Sequence, residues 1–415
     1  MPSQAVETNA PALQAGVEGV PVGPDCRPLR QARRTGRLEQ LESQVDQLLD
    51  RMNVAVIYGG DKSVEGAVIN QTQNPRSWKS YQAVAQDIAN ALKRLGAKSV
   101  SLMPDDMTLG DRLRQDNIHF AWLNTGGVQG YDSMSHCAAM LEMIGIPYVG
   151  HHPLTAGILD NKHTFKRQLN ALRIPTADFV TWHQLRDDHD IANDRRFKEV
   201  FADYPGPFVV KPVCGRASLH VKIVETAAEL MDCVAEVYRV TENHVLIEKF
   251  LPGKEYTVAV CGSIIAQGKA LIQLKEPLVF SPIERVLMPD EKIFTSMDLR
   301  PITKDRLRLL GPDSDPDVYE KLVEIAQEVF KQMDLETLIR LDLRMDADGR
   351  FNVLEANPKP DLKRPTGDKT SIVCAGLQAV DMDYDDLIFS LLVDQIDFLF
   401  CQRRGTITTL SSLLD

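Results

Sequence analysis

The sequence lacks a membrane-spanning run, an excess of basic charge and any closely spaced pair of cysteines. No stretch approaches the roughly 18 to 20 consecutive apolar residues of a membrane helix, and the first 30 residues have no secretory apolar core. Acidic residues outnumber basic ones, 58 to 47, which disfavours a nucleic acid or an anionic membrane as the main partner. The seven cysteines include no CxxC pair, which favours reduced thiols and a cytoplasmic location.

The 415 residues are enough for two or three domains, and the first half reads as an α/β pattern. Residues 1–36 are rich in proline and small residues, and we expect a disordered tail there. Apolar residues at helical spacing in 38–52 predict an amphipathic helix, which either packs on the first domain, our preferred interpretation, or forms a dimer seam. Apolar strands at 54–58 and 121–123, each followed by a Gly-Gly pair and a helical pattern, predict βα units of an open α/β sheet.

The second half alternates strands with polar connections. Residues 208–212 and 245–250 read as buried strands, and 337–357 as a hairpin. A final helix is predicted at 383–400. Residues 276–316 are rich in proline and charge and have no clear period, so we predict a long surface loop that could close over a site as a lid.

The hairpin carries the strongest chemical signal. Asp-Gly at 348–349 between two alternating runs is typical of a two-residue hairpin turn. Such a turn sets two pairs of residues opposite each other on one face: Asp342 with Glu355, and Arg340 with Asn357. Two opposed carboxylates repel unless a cation lies between them, and carboxylate and amide oxygens suit Mg²⁺ bound together with phosphates. The alternative is a polar outer face with the carboxylates paired to lysines.

Three lysines lie at or near the ends of apolar runs. Lys211 closes a buried strand just before the small-residue loop 213–219, whose backbone N–H groups are suited to hold phosphate oxygens. Lys162 and Lys249 are placed similarly. Glu248 and Glu255 follow as candidate acceptors for an amino group and a ribose hydroxyl.

Together these residues resemble the ATP-grasp superfamily, and within it the D-Ala-D-Ala ligase-like group, over roughly residues 53–400. The resemblance implies an α/β (α+β) ATP-grasp fold, in which an open N-terminal α/β domain precedes two α+β subdomains that sandwich ATP. We therefore divide the chain into five segments: a disordered tail (1–36), the N-terminal domain with its leading helix (37–150), a central lid subdomain (151–250), a C-terminal catalytic subdomain (251–403) and a second tail (404–415).

The resemblance also implies roles for individual residues. The ATP-binding set is Lys162, Lys211, Glu248, Lys249, Phe250, Leu251 and Glu255. The ligands of two Mg²⁺ ions, with Mn²⁺ as an alternative, are Asp342, Glu355 and Asn357. The catalytic set is Arg340, which steadies the transferring phosphoryl group, Lys211 and Ser218. The substrate-binding set is Glu65, Lys359 and Ser371.

The chain departs from the D-Ala-D-Ala ligase motifs where the two substrates bind. Only Glu65 could replace the acidic residue of their EREVS-type segment, one position late, and their NxSPGxT segment is replaced by Asn-Pro-Lys-Pro-Asp-Leu-Lys at 357–363. These changes resemble the ligases that join serine or threonine to mycosporine-glycine, and that is our first hypothesis. A D-Ala-D-Ala or other dipeptide ligase is the alternative, and a non-catalytic ATP-binding protein is the third. Small-molecule substrates and a homodimer are expected, with no nucleic-acid or membrane partner.

Overall fold

The computed structural model describes residues 36–69, 78–130, 132–183, 189–215, 218–268, 270–294, 304–366, 371–403 and 407–415. Four of the predictions above lie wholly or partly outside these ranges: the disordered tail through residue 35, positions 216 and 217 of the small-residue loop, positions 295–303 of the predicted surface loop, and positions 404–406 of the second tail. Within the described ranges, none of the helices is long and apolar enough to cross a membrane.

The N-terminal region is the open α/β sheet that the sequence predicts. Its strands are β1 (Asn53–Gly59), β2 (Ser99–Asp105), β3 (Phe120–Asn124) and β4 (Tyr148–Val149), all parallel in the order β2-β1-β3-β4. Its helices are α1 (Gly36–Arg51), α2 (Trp78–Arg94), α3 (Leu109–Gln115) and α4 (His136–Ile144). The sequence pattern did not predict β2 or α3. Gly127 has a positive φ, and a Cβ there would lie 2.1 Å from the Ser133 carbonyl oxygen. Glycine is therefore the residue that fits at this position of the second Gly-Gly pair.

Helix α1 buries its apolar face inside this chain. Leu41, Val45 and Leu48 are at most 4% exposed and belong to one core with residues from both ends of the chain. Burying apolar surface in this way stabilises the fold by roughly 25 cal/mol per Å². Packing within the chain is therefore confirmed, but the partners include the later segments 270–273 and 384–402 and not the first domain alone. The same face is not exposed for a dimer seam.

The middle of the chain contributes two helices and an antiparallel sheet. Helices α5 (Pro153–Asp160) and α6 (Lys162–Ala171) begin the region, followed by β5 (Phe179–Trp182), α7 (Arg195–Phe201), β6 (Phe208–Pro212), β7 (Lys222–Val224), α8 (Leu230–Thr241) and β8 (Val245–Lys249). The strands form the central sheet in the order β5-β8-β6-β7. Phe165 and Leu169 of α6 pack into the core of the next sheet, so this helix belongs by packing to the C-terminal half.

The C-terminal sheet holds the hairpin. The remaining strands are β9 (Glu255–Cys261), β10 (Ile264–Gln267), β11 (Ala270–Gln273), β12 (Leu278–Arg285), β13 (Leu307–Leu309), β14 (Ile339–Met345) and β15 (Phe351–Asn357). The helices are α9 (Pro316–Gln332), α10 (Tyr384–Gln402) and α11 (Thr408–Ser412). Five strands pair antiparallel in the order β13-β12-β9-β14-β15, and β10 pairs with β11.

Two predictions about this region were wrong. Residues 278–285 of the predicted surface loop form the buried strand β12, and 307–309 pair with it. The loop prediction failed because Pro282 and the charges that follow it break the apolar pattern. The segment 404–415 is not a tail throughout, because Ile407 and Leu410 are at most 1% exposed in the core that also holds α1.

The hairpin pairs as predicted, although its turn does not. Asp342 is opposite Glu355 and Arg340 is opposite Asn357. The chain turns over residues 346–350 instead of over a two-residue loop, because Met345 pairs with Phe351. A β-bulge beyond Asp342, where β15 contributes one extra residue, restores the predicted register.

Candidate active site

A charged cleft lies between the central sheet and the C-terminal sheet. Four of its lining carboxylates come from four strands: Glu248 (β8), Glu255 (β9), Asp342 (β14) and Glu355 (β15). Glu248 lies near the end of β8 and Glu255 begins β9, whereas Asp342 lies in the middle of β14, directly opposite Glu355. Isolated carboxylates do not stay charged in such burial, so each requires a cation.

Lys211 and Lys166 share Glu248. The Lys211 Nζ lies 2.5 Å from Glu248 Oε1, and the Lys166 Nζ lies 3.1 Å from Oε2. Burial alone would raise the pKa of Glu248, but the two ammonium groups outweigh it and hold that pKa at about 2. Burial also lowers the pKa of Lys166, more than Glu248 raises it. The predicted acceptor for an adenine amino group therefore faces two lysines in this structure.

Arg285 joins two further carboxylates. Its Nη1 lies 2.9 Å from Glu255 Oε1 and its Nη2 lies 3.0 Å from Asp342 Oδ2. Arg344 adds a second cation to Glu255, at 3.6 Å. The proposed ribose ligand Glu255 is thus held between two guanidinium groups.

Asp342 has the most contacts of the four carboxylates. Arg340 pairs with it through both oxygens, at 2.8 Å and 3.0 Å, and the Thr257 hydroxyl donates to it at 3.0 Å. Burial alone would raise the pKa of Asp342, but Arg285 and Arg340 hold it far below its ordinary value. The carboxylate is therefore ionised over the whole physiological range.

Glu355 lies across from Asp342 and pairs with Lys162, whose Nζ is 3.0 Å from Oε2. Burial alone would lower the pKa of Lys162, but Glu355 outweighs it and raises that pKa. The Lys162 Nζ also donates to the Gly215 carbonyl oxygen at 3.4 Å. The lysine thus lies next to the small-residue loop, where a phosphate group would be held.

The contacts of this cluster leave positive charge in excess. Four carboxylates are contacted by six cations: Lys162, Lys166, Lys211, Arg285, Arg340 and Arg344. Cations outnumber carboxylates among these direct contacts, which favours an anionic ligand. The cluster is therefore suited to the phosphates of a nucleotide.

The donor set also fits Mg²⁺. The described residues include no group of three His, Cys, Asp or Glu side chains placed to hold a metal ion. Asp342 and Glu355 are oxygen donors that line the cleft, and Asn357 presents an amide oxygen that accepts from the Lys359 N–H at 3.1 Å. Magnesium binds through one or two carboxylates and completes its shell with phosphate oxygens and water. Asp342, Glu355 and Asn357 would hold Mg²⁺ at the end of the cleft where the phosphates bind. Phosphate oxygens and water would supply its other ligands.

The other predicted site residues fall into two groups. Lys249, Phe250, Leu251 and Ser218 line the charged cleft, and Ser218 adopts a positive φ of 52°. The remaining predicted residues do not line it: Arg340, Asn357, Lys359, Glu65 and Ser371. Arg340 is joined to the cleft through its contact with Asp342. Glu65 is exposed on the loop after β1, and the buried Ser371 hydroxyl accepts from the Cys374 N–H at 3.2 Å.

The sequence did not predict Arg285 and Arg344, which line the cleft, or the buried Lys166, which contacts Glu248. Lys166 follows Lys162 by four residues on α6, so helical spacing places both on one face and could have identified it. Arg344 lies two residues beyond Asp342 on the predicted strand and shares its face. Arg285 offered no such signal, because it ends the strand that was interpreted as a loop.

Comparison with known proteins agrees with this geometry. The family described as "D-ala D-ala ligase C-terminus" matches residues 169–393, more than half of the chain. The chain is 24% identical to the D-alanine–D-alanine ligase of Synechococcus sp. (strain JA-2-3B'a(2-13)) and 27% identical to that of Marinomonas sp. (strain MWYL1). These matches span 83% and 81% of this chain, and 93% of each relative.

Solved structures show the same fold. The D-alanine–D-alanine ligase of Bacillus anthracis complexed with ATP aligns with a TM-score of 0.60 at 21% identity, over 83% of this chain and 98% of that one. The ligase of Coxiella burnetii aligns with a TM-score of 0.60 at 18% identity, over 86% and 97%. The chain therefore has the ATP-grasp fold, belongs to the D-Ala-D-Ala ligase family, and is an ATP-dependent, ADP-forming ligase that uses Mg²⁺.

Proposed function

We propose that this ligase joins the amine of serine or threonine to mycosporine-glycine and gives an imino-mycosporine. The observation that carries the proposal is the position of Lys359, a cation at the site where the acceptor would bind. The Lys359 Nζ lies 3.4 Å from Asn124 Oδ1 and 4.3 Å from the ring centre of Tyr81. It thus reaches from the end of the catalytic hairpin to the N-terminal sheet.

The surroundings of Lys359 favour an anionic acceptor. Asn124 ends β3, and ligands of open α/β sheets bind beyond the carboxyl ends of the strands where the strand order reverses, here between β1 and β3. A lysine there attracts a carboxylate that the acceptor carries in addition to its reacting oxygen. Mycosporine-glycine has such a carboxylate on its glycine.

The same lysine disfavours D-alanine as acceptor. D-Alanine brings an α-ammonium group, which the Lys359 ammonium repels. The acidic residue that would pair with this ammonium has no clear equivalent, since Glu65 is exposed and does not line the charged cleft. This charge pattern supports an acceptor without a free α-amine.

Different residues in and beside the charged cleft have different roles in the reaction. When bound, Mg²⁺ neutralises charge on the ATP phosphates, and Lys162 and Lys211 hold those phosphates. Arg340 steadies the phosphoryl group that moves from ATP to the vinylogous acid oxygen of the acceptor. The amine then forms a C–N bond at the activated carbon, which breaks the C–O bond and releases phosphate, and the nitrogen loses its protons to solvent. This sequence needs no covalent enzyme intermediate.

D-Ala-D-Ala or another dipeptide ligation is the second candidate. The relatives reported above carry that name, and the similarity covers most of the chain. The two candidates differ only in acceptor and amine, because the nucleotide chemistry is the same.

ADP release over an amino-acid panel separates the candidates. The proposal predicts ADP release only when mycosporine-glycine is present, with serine or threonine as the second substrate. ADP release with D-alanine alone would contradict the proposal and support the second candidate. Mass spectrometry of the product identifies the new C–N bond in either case.

Replacing Lys359 with methionine is expected to raise the KM for the acceptor about 10- to 100-fold, because a hydrogen bond to a charged group contributes roughly 1.5–3 kcal/mol. The KM for ATP is expected to stay unchanged, since Lys359 does not line the charged cleft. Lys359→Arg keeps the charge and should recover part of the affinity. Lys363→Met, in the same segment, is the matched control. An unchanged acceptor KM, or an equal rise in both constants, would remove Lys359 from the acceptor site.

A further inference from the structure

A second cavity lies between α10, α4 and β4. Its volume is about 420 Å³, within the roughly 300–1,000 Å³ that is typical of small-molecule sites. It shares no lining residue with the charged cleft. We call it the α4–α10 cavity.

One wall of the α4–α10 cavity presents a buried acceptor that lacks a hydrogen bond. Gln395 lines the cavity and is 5% exposed, and its Oε1 has no hydrogen-bond partner among the described residues. A buried amide oxygen without a donor costs roughly 1–3 kcal/mol. A ligand that carries N–H groups would remove this cost.

Carboxylates line the same cavity. Glu142 accepts from the Tyr148 hydroxyl at 3.0 Å, and Glu336 accepts from the His152 N–H at 2.9 Å. Burial raises the pKa of Tyr148, and both carboxylates raise it further, which places their charges close to this phenol. Together with Gln395, they form an acceptor-rich wall that suits a primary ammonium group.

The cavity also presents a cation and apolar surface. Arg403 lines it, and its charge acts on Tyr148 in the opposite direction to the carboxylates, so it lies near the same phenol. A guanidinium binds a carboxylate with two parallel hydrogen bonds. The remaining walls combine polar side chains, His152, Thr408 and Thr409, with an apolar part formed by Leu141, Ile144, Ile146, Pro147, Phe398 and Leu399.

We infer that the α4–α10 cavity is a second binding site, apart from the nucleotide site, for a free α-amino acid. Its ammonium group is bound by Gln395, Glu142 and Glu336, its carboxylate is bound by Arg403, and its side chain lies against the apolar walls. The inference does not rest on the proposed acceptor, because none of these residues lines the charged cleft.

Equilibrium dialysis with each of the 20 radiolabelled protein amino acids and D-alanine tests this site. The double variant Arg340→Ala/Lys359→Met is used beside the wild type, because it disables the proposed catalytic and acceptor groups. At least one amino acid is expected to bind both proteins equally. Gln395→Leu and Glu142→Gln are each expected to weaken that binding at least tenfold. Gln402→Leu, the same substitution on the same helix outside the cavity, is expected to leave it unchanged.

The variants also report on why Gln395 is buried. Gln395→Leu removes an unpaired polar atom, so its melting temperature without ligand is expected to equal or exceed that of the wild type. If Gln395→Leu fails to fold, Glu142→Gln decides the question, since Glu142 is exposed on α4. The inference is overturned if no amino acid binds, or if binding is lost in the Arg340→Ala/Lys359→Met variant and survives both cavity variants. Failure of the proposed acceptor chemistry changes neither outcome, because the assay requires no turnover.

Discussion

Replacing Arg340 with alanine is expected to lower kcat about 10²- to 10³-fold, the loss typical of removing one transition-state donor, while ATP affinity changes little. Asp342 keeps its contacts to Arg285 and Thr257 without Arg340, so the carboxylate stays in place. The variant therefore removes the guanidinium charge next to Asp342 without disordering that proposed metal ligand. Steady-state ADP release measures kcat, and calorimetric titration of ATP measures affinity.

Arg350→Ala is the matched control for this variant. Arg350 lies on the turn of the same hairpin, is exposed, and pairs only weakly with Asp348 at 3.5 Å. Its replacement is expected to change neither constant. Normal turnover of Arg340→Ala would refute the role of Arg340. Equal losses in turnover and ATP affinity would make it a ground-state phosphate ligand instead.

The fold was predictable where side-chain periodicity matched a single secondary structure. Helices α1 and α10 and strands β1, β3, β6 and β8 lie within a few residues of their predicted positions. Strands β9 to β12 were not predicted. In β12, Pro282 usually argues against a strand, but it lies at a β-bulge, where Ser281 adopts a positive φ. The local sequence pattern does not predict such a bulge.

Contacts within one local unit, such as a hairpin, could be predicted from the sequence. Contacts between strands that are distant in the sequence could not. The pairing of Asp342 with Glu355 followed from the hairpin alone. The pairing of Arg285 with Asp342 depends on how β12, β9 and β14 are ordered in the sheet, which the sequence does not reveal. The expectation of a metal ion between the opposed carboxylates was also incomplete, because lysine and arginine side chains already compensate both charges.

The order of the sheet also explains how one buried cluster can serve both stability and ligand binding. Glu248 lies on the central sheet and Asp342 on the C-terminal sheet, so their cations face each other across the charged cleft. The excess of positive charge is then kept between two separately packed cores. Removing a carboxylate increases that excess and should destabilise the protein most where the cations are most buried.

Replacing Glu248 with glutamine is expected to lower the free energy of unfolding of the central sheet by about 3–5 kcal/mol at pH 7, as is typical of breaking a buried ion pair. The variant leaves the ammonium groups of Lys166 and Lys211 buried without a carboxylate. Urea unfolding monitored by Trp182 fluorescence measures the effect, in a background where Trp78 and Trp122 are phenylalanine. Trp182 is buried in β5, which pairs with β8.

The stability that Glu248 contributes is expected to decrease as the pH falls. The folded pKa of Glu248 is about 2, below its ordinary value of 4.5, so its contribution is complete above about pH 4.5 and is lost as the pH falls towards 2. The difference between wild type and Glu248→Gln should therefore shrink over that window. Glu199→Gln, an exposed carboxylate on α7, is expected to have little effect. Lys166→Met should cost less than Glu248→Gln, because Glu248 keeps Lys211 while the variant removes a buried ammonium group. No loss in Glu248→Gln would show that the lysines are stable in this cleft without the carboxylate. A larger loss in Lys166→Met than in Glu248→Gln would show that Lys166 stabilises the fold through contacts other than the one with Glu248.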